Sequence, residues 1–170
     1  MNMGQLSGNR ITQALRALFS SLDSTDQDLV TDAVLQQKVR LDCHDSATAG
    51  TAFTKSLIWR NDTGISYRVV DARASAPVAV TANATNYASF IVTKLDSAGG
   101  SAAVVATFAT DTVTTDDMVA NVGKAMTFTD ANVIVPAGSI LVGEITKTAS
   151  GVAVTAATSR ASIELVLEPV

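Results

Sequence analysis

The residues of this chain that could do chemistry are few, and the densest group of them is Asp42-Cys43-His44-Asp45. This group holds the only cysteine and the only histidine of the chain, the types that serve as nucleophile, base or metal ligand. The residues before it alternate as in a β-strand, and neighbours in a strand point to opposite faces. Cys43 and His44 therefore cannot meet as nucleophile and base, and the group cannot converge on one ion. We expect structural or incidental roles for them.

Two acidic stretches are the remaining candidates for a cation site. Residues 23–28 carry carboxylates at positions 1, 4 and 6, whereas a calcium loop needs oxygens at 1, 3 and 5 with glycine at 6. Helix capping explains this stretch better, because Ser24 and Gln27 match a capping box. Asp116-Asp117 is better explained as part of a solvated loop than as a cation site at a subunit boundary. No metal and no cofactor is expected.

Three further patterns favour turns and core packing over binding sites. Asn61-Asp62-Thr63 and Asn83-Ala84-Thr85 match the acceptor pattern for N-glycosylation, but the N-terminus lacks the features of a signal peptide, so we expect turns. Gly99-Gly100 does not open a helix and is therefore no phosphate cradle. Four aromatic residues could stack on a sugar, but their places in regular strands favour packing in the core: Trp59, Tyr67, Tyr87 and Phe90.

The composition favours a thin β-protein and argues against a deep, aromatic-lined pocket. Aromatic residues make up 5% and charged residues 16% of the 170 residues. A chain of this size buries roughly 70% of its unfolded surface, so one domain, with or without an appendage, needs no disulfide. The net charge is −4 without any run of Lys or Arg, which argues against nucleic acid as a partner. No apolar run reaches the ~18 residues of a membrane helix.

The N-terminal part is predicted to be helical, as an arm or head that spans residues 1–45. Its apolar residues recur at the spacing of one helix face: Ile11, Ala14, Leu15, Leu18 and Leu22. A second helix is expected from the capping box at Ser24 to about Gln37. Two arrangements remain open, a helical hairpin that covers its own domain and an arm that packs on a neighbouring subunit.

Residues 46–170 are predicted to be mainly β, a jelly-roll-like antiparallel sandwich of nine or ten short strands. Phe53, Leu57 and Trp59 are expected to share one strand face. Later in the chain, a turn at residues 136–138 leads into a long strand, and residues 152–155 are expected to return beside it as a hairpin.

Some of the predicted strands have distinct faces, and others do not. The last strand alternates cleanly, with Ile163, Leu165 and Leu167 on its apolar side. In contrast, residues 90–92 and 140–142 are apolar on both faces, which suits either a core or a subunit interface.

Four stretches of the β domain resemble the β-sandwich structural proteins of tailed bacteriophages, above all their head decoration, or cement, proteins. These stretches lie within about two thirds of the chain, from about Phe53 to Val170. They are FTKSLIWRNDTGISYRVVDARASAPV (53–78), NYASFIVTKLDSAGGSAAVVATF (86–108), MTFTDANVIVPAGSILVGEITKT (126–148) and SIELVLEP (162–169).

The resemblance implies a structural virion protein, and no enzyme, that binds the outside of a phage capsid and stabilises the head by bridging capsomers. Its partners would be the major capsid protein and its own copies in a homotrimer, without nucleic acid or membrane. It would be made in the host cytoplasm and located on the head surface. The candidates for contact with the capsid or with another subunit are Leu6, Ile11, Leu15 and Leu18.

Two other functions remain open from the sequence. A receptor- or glycan-binding domain of a phage fibre or spike would carry exposed aromatic residues clustered on one loop end, whereas the aromatic residues here lie mostly in predicted strands. An enzyme such as a depolymerase would need paired carboxylates on facing strands, and the sequence does not exclude such a pair.

Overall fold

The structure, a computed structural model, describes residues 36–42, 53–148 and 161–170. These residues form two antiparallel sheets, which confirms the predicted mainly β fold, and the predicted N-terminal helices lie outside the described residues. The strands are β1 (Gln37–Asp42), β2 (Phe53–Arg60), β3 (Tyr67–Ser75), β4 (Ala88–Leu95), β5 (Ala103–Ala109), β6 (Lys124–Ala125), β7 (Thr127–Phe128), β8 (Ile134–Val135), β9 (Ile140–Lys147) and β10 (Ser162–Pro169), with a short 3-10 helix, η1 (Asp130–Asn132), between β7 and β8.

The strand order is that of a jelly roll. Sheet A has the order β1-β10-β3-β6, with β8 also paired to β3, and sheet B has the order β2-β9-β4-β5-β7. The pairs are nested along the chain: β1 with β10, β2 with β9, β3 with β6 and β8, and β4 with β5. A long antiparallel hairpin that rolls up into two sheets produces this order. The predicted jelly-roll-like sandwich is therefore confirmed.

One side of the sandwich is closed by the segment from β6 to β8. In this segment β6 pairs with β3 of sheet A, β7 with β5 of sheet B, and β8 again with β3. Lys94 of β4 holds the segment in place, because its ammonium group donates to the carbonyl oxygens of Asn132 at 3.1 Å and Ile134 at 2.7 Å. On the opposite side, β1 and β2 are edge strands with one strand neighbour each in the described part of the chain.

The core lies between the sheets and contains aliphatic side chains with a few aromatic rings. Phe90 and Phe108 on adjacent strands have their ring centroids 6.0 Å apart, and Trp59 meets Tyr67 edge-on at 5.3 Å. Tyr67 and Phe90 are buried, so the prediction of core packing is confirmed for both. The alternation predicted for β10 is confirmed as well, with its apolar side buried: Ile163, Leu165 and Leu167.

One strand prediction is wrong in detail. Leu57 and Trp59 do not share a face, because β2 shifts its register between them, so that Trp59 packs on the core and Leu57 points outward. A bulge adds one residue to a strand, and a period-two pattern cannot reveal it. The hairpin predicted after β9 involves residues 152–155, which lie outside the described residues, and it stays a prediction.

The predicted division into an arm (1–45) and a sandwich (46–170) falls between two described segments and stays a prediction. Within the predicted arm, β1 pairs with β10 of sheet A over its whole length, from Gln37 opposite Leu167 to Asp42 opposite Ser162. The alternating residues just before Cys43, predicted above to be a strand, therefore pack as part of the sandwich.

Gly143 of β9 marks a tight point of the core. A Cβ atom there would lie 2.7 Å from Cδ2 of Leu41, 3.1 Å from Cδ1 of Ile58 and 3.2 Å from Cδ1 of Ile163. We expect Gly143→Ala to lower the free energy of unfolding by about 1–3 kcal/mol, because those methyl groups can move only against a packed core. Unfolding in urea measures this loss.

The steric origin of that loss can be tested separately. Gly100→Ala is the control, since its Cβ would find its nearest neighbour at 3.4 Å, an ordinary contact distance. Leu41→Val combined with Gly143→Ala removes the nearest methyl group and should recover part of the lost stability. A double variant that is as unstable as the sum of both single changes would contradict the steric explanation.

Candidate interaction surfaces

The residues considered for chemistry form no site in the described part of the chain. Cys43, His44 and the acidic stretch 23–28 lie outside the described residues, and so do the predicted contact residues Leu6, Ile11, Leu15 and Leu18. Among the residues that the structure describes, no group of three or more His, Cys, Asp or Glu side chains is placed to hold a metal ion. No helix within these ranges is long and apolar enough to cross a membrane.

Asp116 and Asp117 fix the path of a long loop between β5 and β6. The Oδ1 atom of Asp117 accepts a hydrogen bond from the backbone amide of Ala82 at 2.7 Å. The Oδ2 atom of Asp116 accepts one from the amide of Thr112 at 3.2 Å. These carboxylates act as loop anchors, in agreement with the loop interpretation.

Both Asn-x-Thr motifs are turns, as predicted. In the exposed one, Oδ1 of Asn83 accepts a hydrogen bond from the amide of Thr85 at 2.9 Å. The other asparagine, Asn61, is fully buried, and its Nδ2 atom donates to the carbonyl oxygens of Ile65 at 2.8 Å and Val135 at 3.0 Å. Asn61 therefore joins the turn after β2 to β8 on the neighbouring sheet.

Asp96 organises the hairpin between β4 and β5. Its Oδ1 atom accepts hydrogen bonds from the backbone amides of Gly100 and Ala98, both at 2.9 Å. These bonds favour the ionised carboxylate, and the bond from Gly100 contributes most to holding the pKa of Asp96 below its usual value.

We expect Asp96→Asn to remove a pH-dependent part of the stability. Because the folded-state pKa is lowered, this contribution is complete above the ordinary pKa of 3.8 and is lost as the pH falls through the folded-state pKa. The urea midpoint of the wild type should therefore fall more than that of the variant when the pH is lowered from about 5 to about 2. Asp130→Asn, at an exposed aspartate of η1, is the control. Equal acid sensitivity of wild type and Asp96→Asn would contradict the assignment.

The outer face of sheet A is densely charged, and we call it the charged face. The strand register places Arg40 opposite Glu164, and Glu164 opposite Arg73, so that a row of cation, anion and cation crosses three strands. The adjacent row consists of Lys38, Val166 and Asp71.

Arg40 and Arg73 of the charged face are each held by an aspartate two residues away on the same strand. The Nε atom of Arg40 donates to Asp42 at 2.6 Å, and that of Arg73 donates to Asp71 at 2.8 Å. The Nη1 atom of Arg40 also donates to Glu164 at 2.7 Å. The bond to Asp42 raises the pKa of Arg40, and the bond to Asp71 raises the pKa of Arg73. Because these pairs are exposed, they direct the side chains more than they stabilise the fold.

A groove of about 420 Å³ lies over the charged face. Its lining includes three cations, two anions and one apolar side chain of the outer face: Lys38, Arg40, Arg73, Asp71, Glu164 and Val166. Within the described residues, the ammonium group of Lys38 has no hydrogen-bond or ion-pair partner. The groove therefore offers charged donors that point into open space.

The outer face of sheet B carries an aliphatic strip, which we call the apolar band. The register places Leu57, Val142, Thr93 and Val104 in one row across β2, β9, β4 and β5. Leu57 is 59% and Val104 39% exposed, while the middle of the row is buried. The band also includes three half-buried side chains on the same face: Ile91, Leu95 and Ile140. The outward face of an antiparallel sheet is normally polar, so this surface is suited to a further packing layer.

Two residues of opposite charge border the apolar band. Lys55 lies two residues before Leu57 on β2 and therefore on the same face. Glu144 of β9 lies opposite Ile91 in the outer row next to the band. Within the described part of the chain, neither Lys55 nor Glu144 forms an ion pair. The pairs Phe53–Ile145 and Ser56–Gly143 bracket Glu144 on β9 and Lys55 on β2, so the two charges are neighbours at one border of the band, where each can also meet an opposite charge of a second molecule.

Sequence reasoning found part of these surfaces. Residues 90–92 and 140–142, which are apolar on both strand faces, indicated the apolar band, since Ile91, Ile140 and Val142 belong to it. The charged face was missed, although the polar alternation in β1 and β10 could have indicated a solvated side. The grouping of Arg40 and Arg73 around one glutamate depends on strand pairing alone.

No protein-family model matches the chain, and no curated protein matches it. Among solved structures, the chain is similar to a chain in the structure of infectious bursal disease virus, Gx strain, with 14% sequence identity and a TM-score of 0.32. The similarity covers 79% of this chain and 37% of that chain, so this chain spans little more than a third of the other's length. A TM-score of this size carries no argument about activity or partners.

Proposed function

We propose that the chain is a structural virion protein: a homotrimer that binds the outside of a phage capsid and stabilises the head by bridging capsomers. The apolar band is the observation that supports this most. An aliphatic strip across four strands of an outer face suits a covering layer, and exposed apolar patches of this kind mark association sites. Another copy of the chain is the best occupant, because Lys55 and Glu144 give each copy a charge that complements the other. No catalysis, cofactor, nucleic acid or membrane takes part.

The two outer faces suit two different kinds of contact. Permanent interfaces between copies are apolar, because their surfaces are never exposed once the oligomer has formed. A protein made in the host cytoplasm that adds to a finished head must stay dissolved until it arrives, which requires a polar contact surface. The charged face fits this second role, and three copies of a weak contact in one trimer give strong attachment. The N-terminal residues Leu6, Ile11, Leu15 and Leu18 remain candidates for either contact.

The mass of the protein in solution, followed by sedimentation with emptied phage heads, tests this function. We expect a trimer that pellets with the heads, saturates at a fixed ratio and raises their melting temperature, since a ligand of the assembled state stabilises it. A protein that is monomeric at micromolar concentration and stays in the supernatant would contradict the proposal.

One observation supports a second candidate function, a receptor- or glycan-binding domain of a phage fibre or spike. The charged groove combines donors and acceptors in a concave site of about 420 Å³, as polar ligands require. No aromatic ring is among the described residues that line it, so a sugar would find no stacking platform there. Selective binding on a glycan array would favour this candidate over the first.

A further inference from the structure

We propose that the groove of the charged face binds a carboxylate of an acidic polypeptide segment. The groove is lined by three cations and two anions, and Asp42, which pairs with Arg40, brings this group of charges to neutral. Two of the cations keep nitrogen atoms that bond to no described residue, and this pair of donors matches a single carboxylate. It does not match phosphate or a dense polyanion, because Asp71 and Glu164 would repel the additional negative charges.

The donors for this carboxylate are the free nitrogen atoms of the groove. Arg73 uses its Nε atom for Asp71 and makes no hydrogen bond from its Nη atoms to another described residue. The ammonium group of Lys38 likewise makes no hydrogen bond to another described residue. A guanidinium group recognises a carboxylate through two parallel N–H donors, which gives both strength and direction.

The guanidinium groups of the groove are fixed before any ligand arrives. The bond from Nε of Arg73 to Asp71 is 2.8 Å long and orients the guanidinium plane, and Arg40 is oriented in the same way by Asp42 at 2.6 Å. A side chain that is already ordered loses less conformational entropy on binding. The aspartates beside the arginines therefore hold the donors in position while the groove stays close to neutral.

A polypeptide suits the groove better than an acidic sugar does. The floor of the groove crosses β1, β10 and β3 and presents Val166 as a small apolar patch, with no aromatic ring for stacking among the described lining residues. An extended segment with one glutamate or aspartate can place its carboxylate at Arg73 and an aliphatic carbon on Val166. This inference rests on the proposed function in one respect, namely that the segment belongs to the capsid surface.

The binding test uses a capped peptide with a single glutamate between alanines as the probe, and the same peptide with glutamine in its place as the uncharged comparison. We expect weak binding of the glutamate peptide that decreases as salt is added, and no binding of the glutamine peptide. Arg73→Ala should weaken binding by about tenfold or more, and Arg73→Lys should recover only part of it, because lysine keeps the charge and loses the paired donors.

Arg60→Ala provides a matched control. Arg60 also binds an aspartate two residues away through Nε, at 2.9 Å, and is similarly exposed, but it does not line the groove. The variants should unfold at the same urea concentration as the wild type, which separates binding from folding. Equal effects of Arg60→Ala and Arg73→Ala, equal binding of both peptides, or tighter binding of inorganic phosphate or oligogalacturonate would overturn the proposal.

Sedimentation with phage heads separates this inference from the proposed function. If wild type pellets with heads and Arg73→Ala does not, the groove is the capsid contact. If both pellet equally, the function stands and the groove is not the contact. If neither pellets while the glutamate peptide still binds at Arg73, the proposed function fails and the carboxylate site remains.

Discussion

Leu57→Asp should convert the proposed trimer into a folded monomer at micromolar concentration. In a single molecule this side chain is 59% exposed, so an aspartate there stays hydrated and costs the fold little. In an interface that covers the apolar band, the same carboxylate would be removed from water, a cost that Lys55, two residues away on the same face, offsets only in part. We expect a loss of about 2 kcal/mol or more for each contact, the size of an interface hot spot. Sedimentation velocity measures the change in mass.

Val119→Asp is the control for this prediction. Val119 is 64% exposed and belongs to the loop before β6, away from the apolar band. The same change of side-chain type there should leave the trimer intact. Dissociation by both variants would point to a general effect of the added charge, and a trimer that survives Leu57→Asp would exclude the apolar band as the interface.

Reversing the border charges tests the pairing between copies. Lys55→Glu alone should weaken the trimer, because it places like charges at Glu144 of the neighbouring copy, and its urea midpoint measures separately the repulsion from Glu144 on the adjacent strand of its own copy. Lys55→Glu combined with Glu144→Lys should restore it, since the charges become complementary again in reversed order. A double variant that is as weakly associated as the single one would show that the two residues do not meet across the interface.

The sequence predicted those features of the fold that depend on local patterns. The alternation in β10 gave its buried side chains, because a strand with one solvated face separates polar from apolar residues at a period of two. The turn at Gly138 followed from Pro and Gly, and its φ of +81° is a conformation that suits glycine. Residues 140–142 form a run without polar residues, and this run predicted that the strand has two apolar faces there.

Features that depend on strand register were not predictable from such patterns. Arg40 and Glu164 form an ion pair although 124 positions separate them in the sequence. The bulge in β2 reverses the direction of Leu57, and with it the extent of the apolar band. Asn61 was predicted correctly as a turn residue, but its burial depends on Val135, 74 positions away. No local pattern contains information about a partner at such distances.

Asn61→Ala should be the most destabilising of the alanine substitutions at the turns. Its side chain is the hydrogen-bond donor for the carbonyl oxygens of Ile65 and Val135, at 2.8 and 3.0 Å. Removal of the amide takes this partner from both acceptors, at a cost of about 1–3 kcal/mol for the buried bond to Val135 and toward the lower end of that range for the part-buried bond to Ile65. We expect a total loss of about 2–5 kcal/mol in the free energy of unfolding, measured in urea.

Asn83→Ala is the matched control, because Asn83 forms the same kind of Asn-x-Thr turn at an exposed position. It should cost about 1 kcal/mol or less, since water can replace the lost bonds. Comparable losses at both positions would mean that the bonds across to β8 contribute little.

Asn61→Asp then separates hydrogen bonding from size. A carboxylate oxygen in place of Nδ2 would face two carbonyl oxygens without a proton between them, so at neutral pH this variant should be less stable than Asn61→Ala. Burial among acceptors raises the folded-state pKa of the new carboxyl group, and stability is therefore lost as the pH rises from the unfolded-state pKa through the folded-state pKa. Lowering the pH should restore part of the stability, because a protonated carboxyl can donate one of the two bonds. A stability deficit that stays constant with pH would show that the amide does not act through its protons.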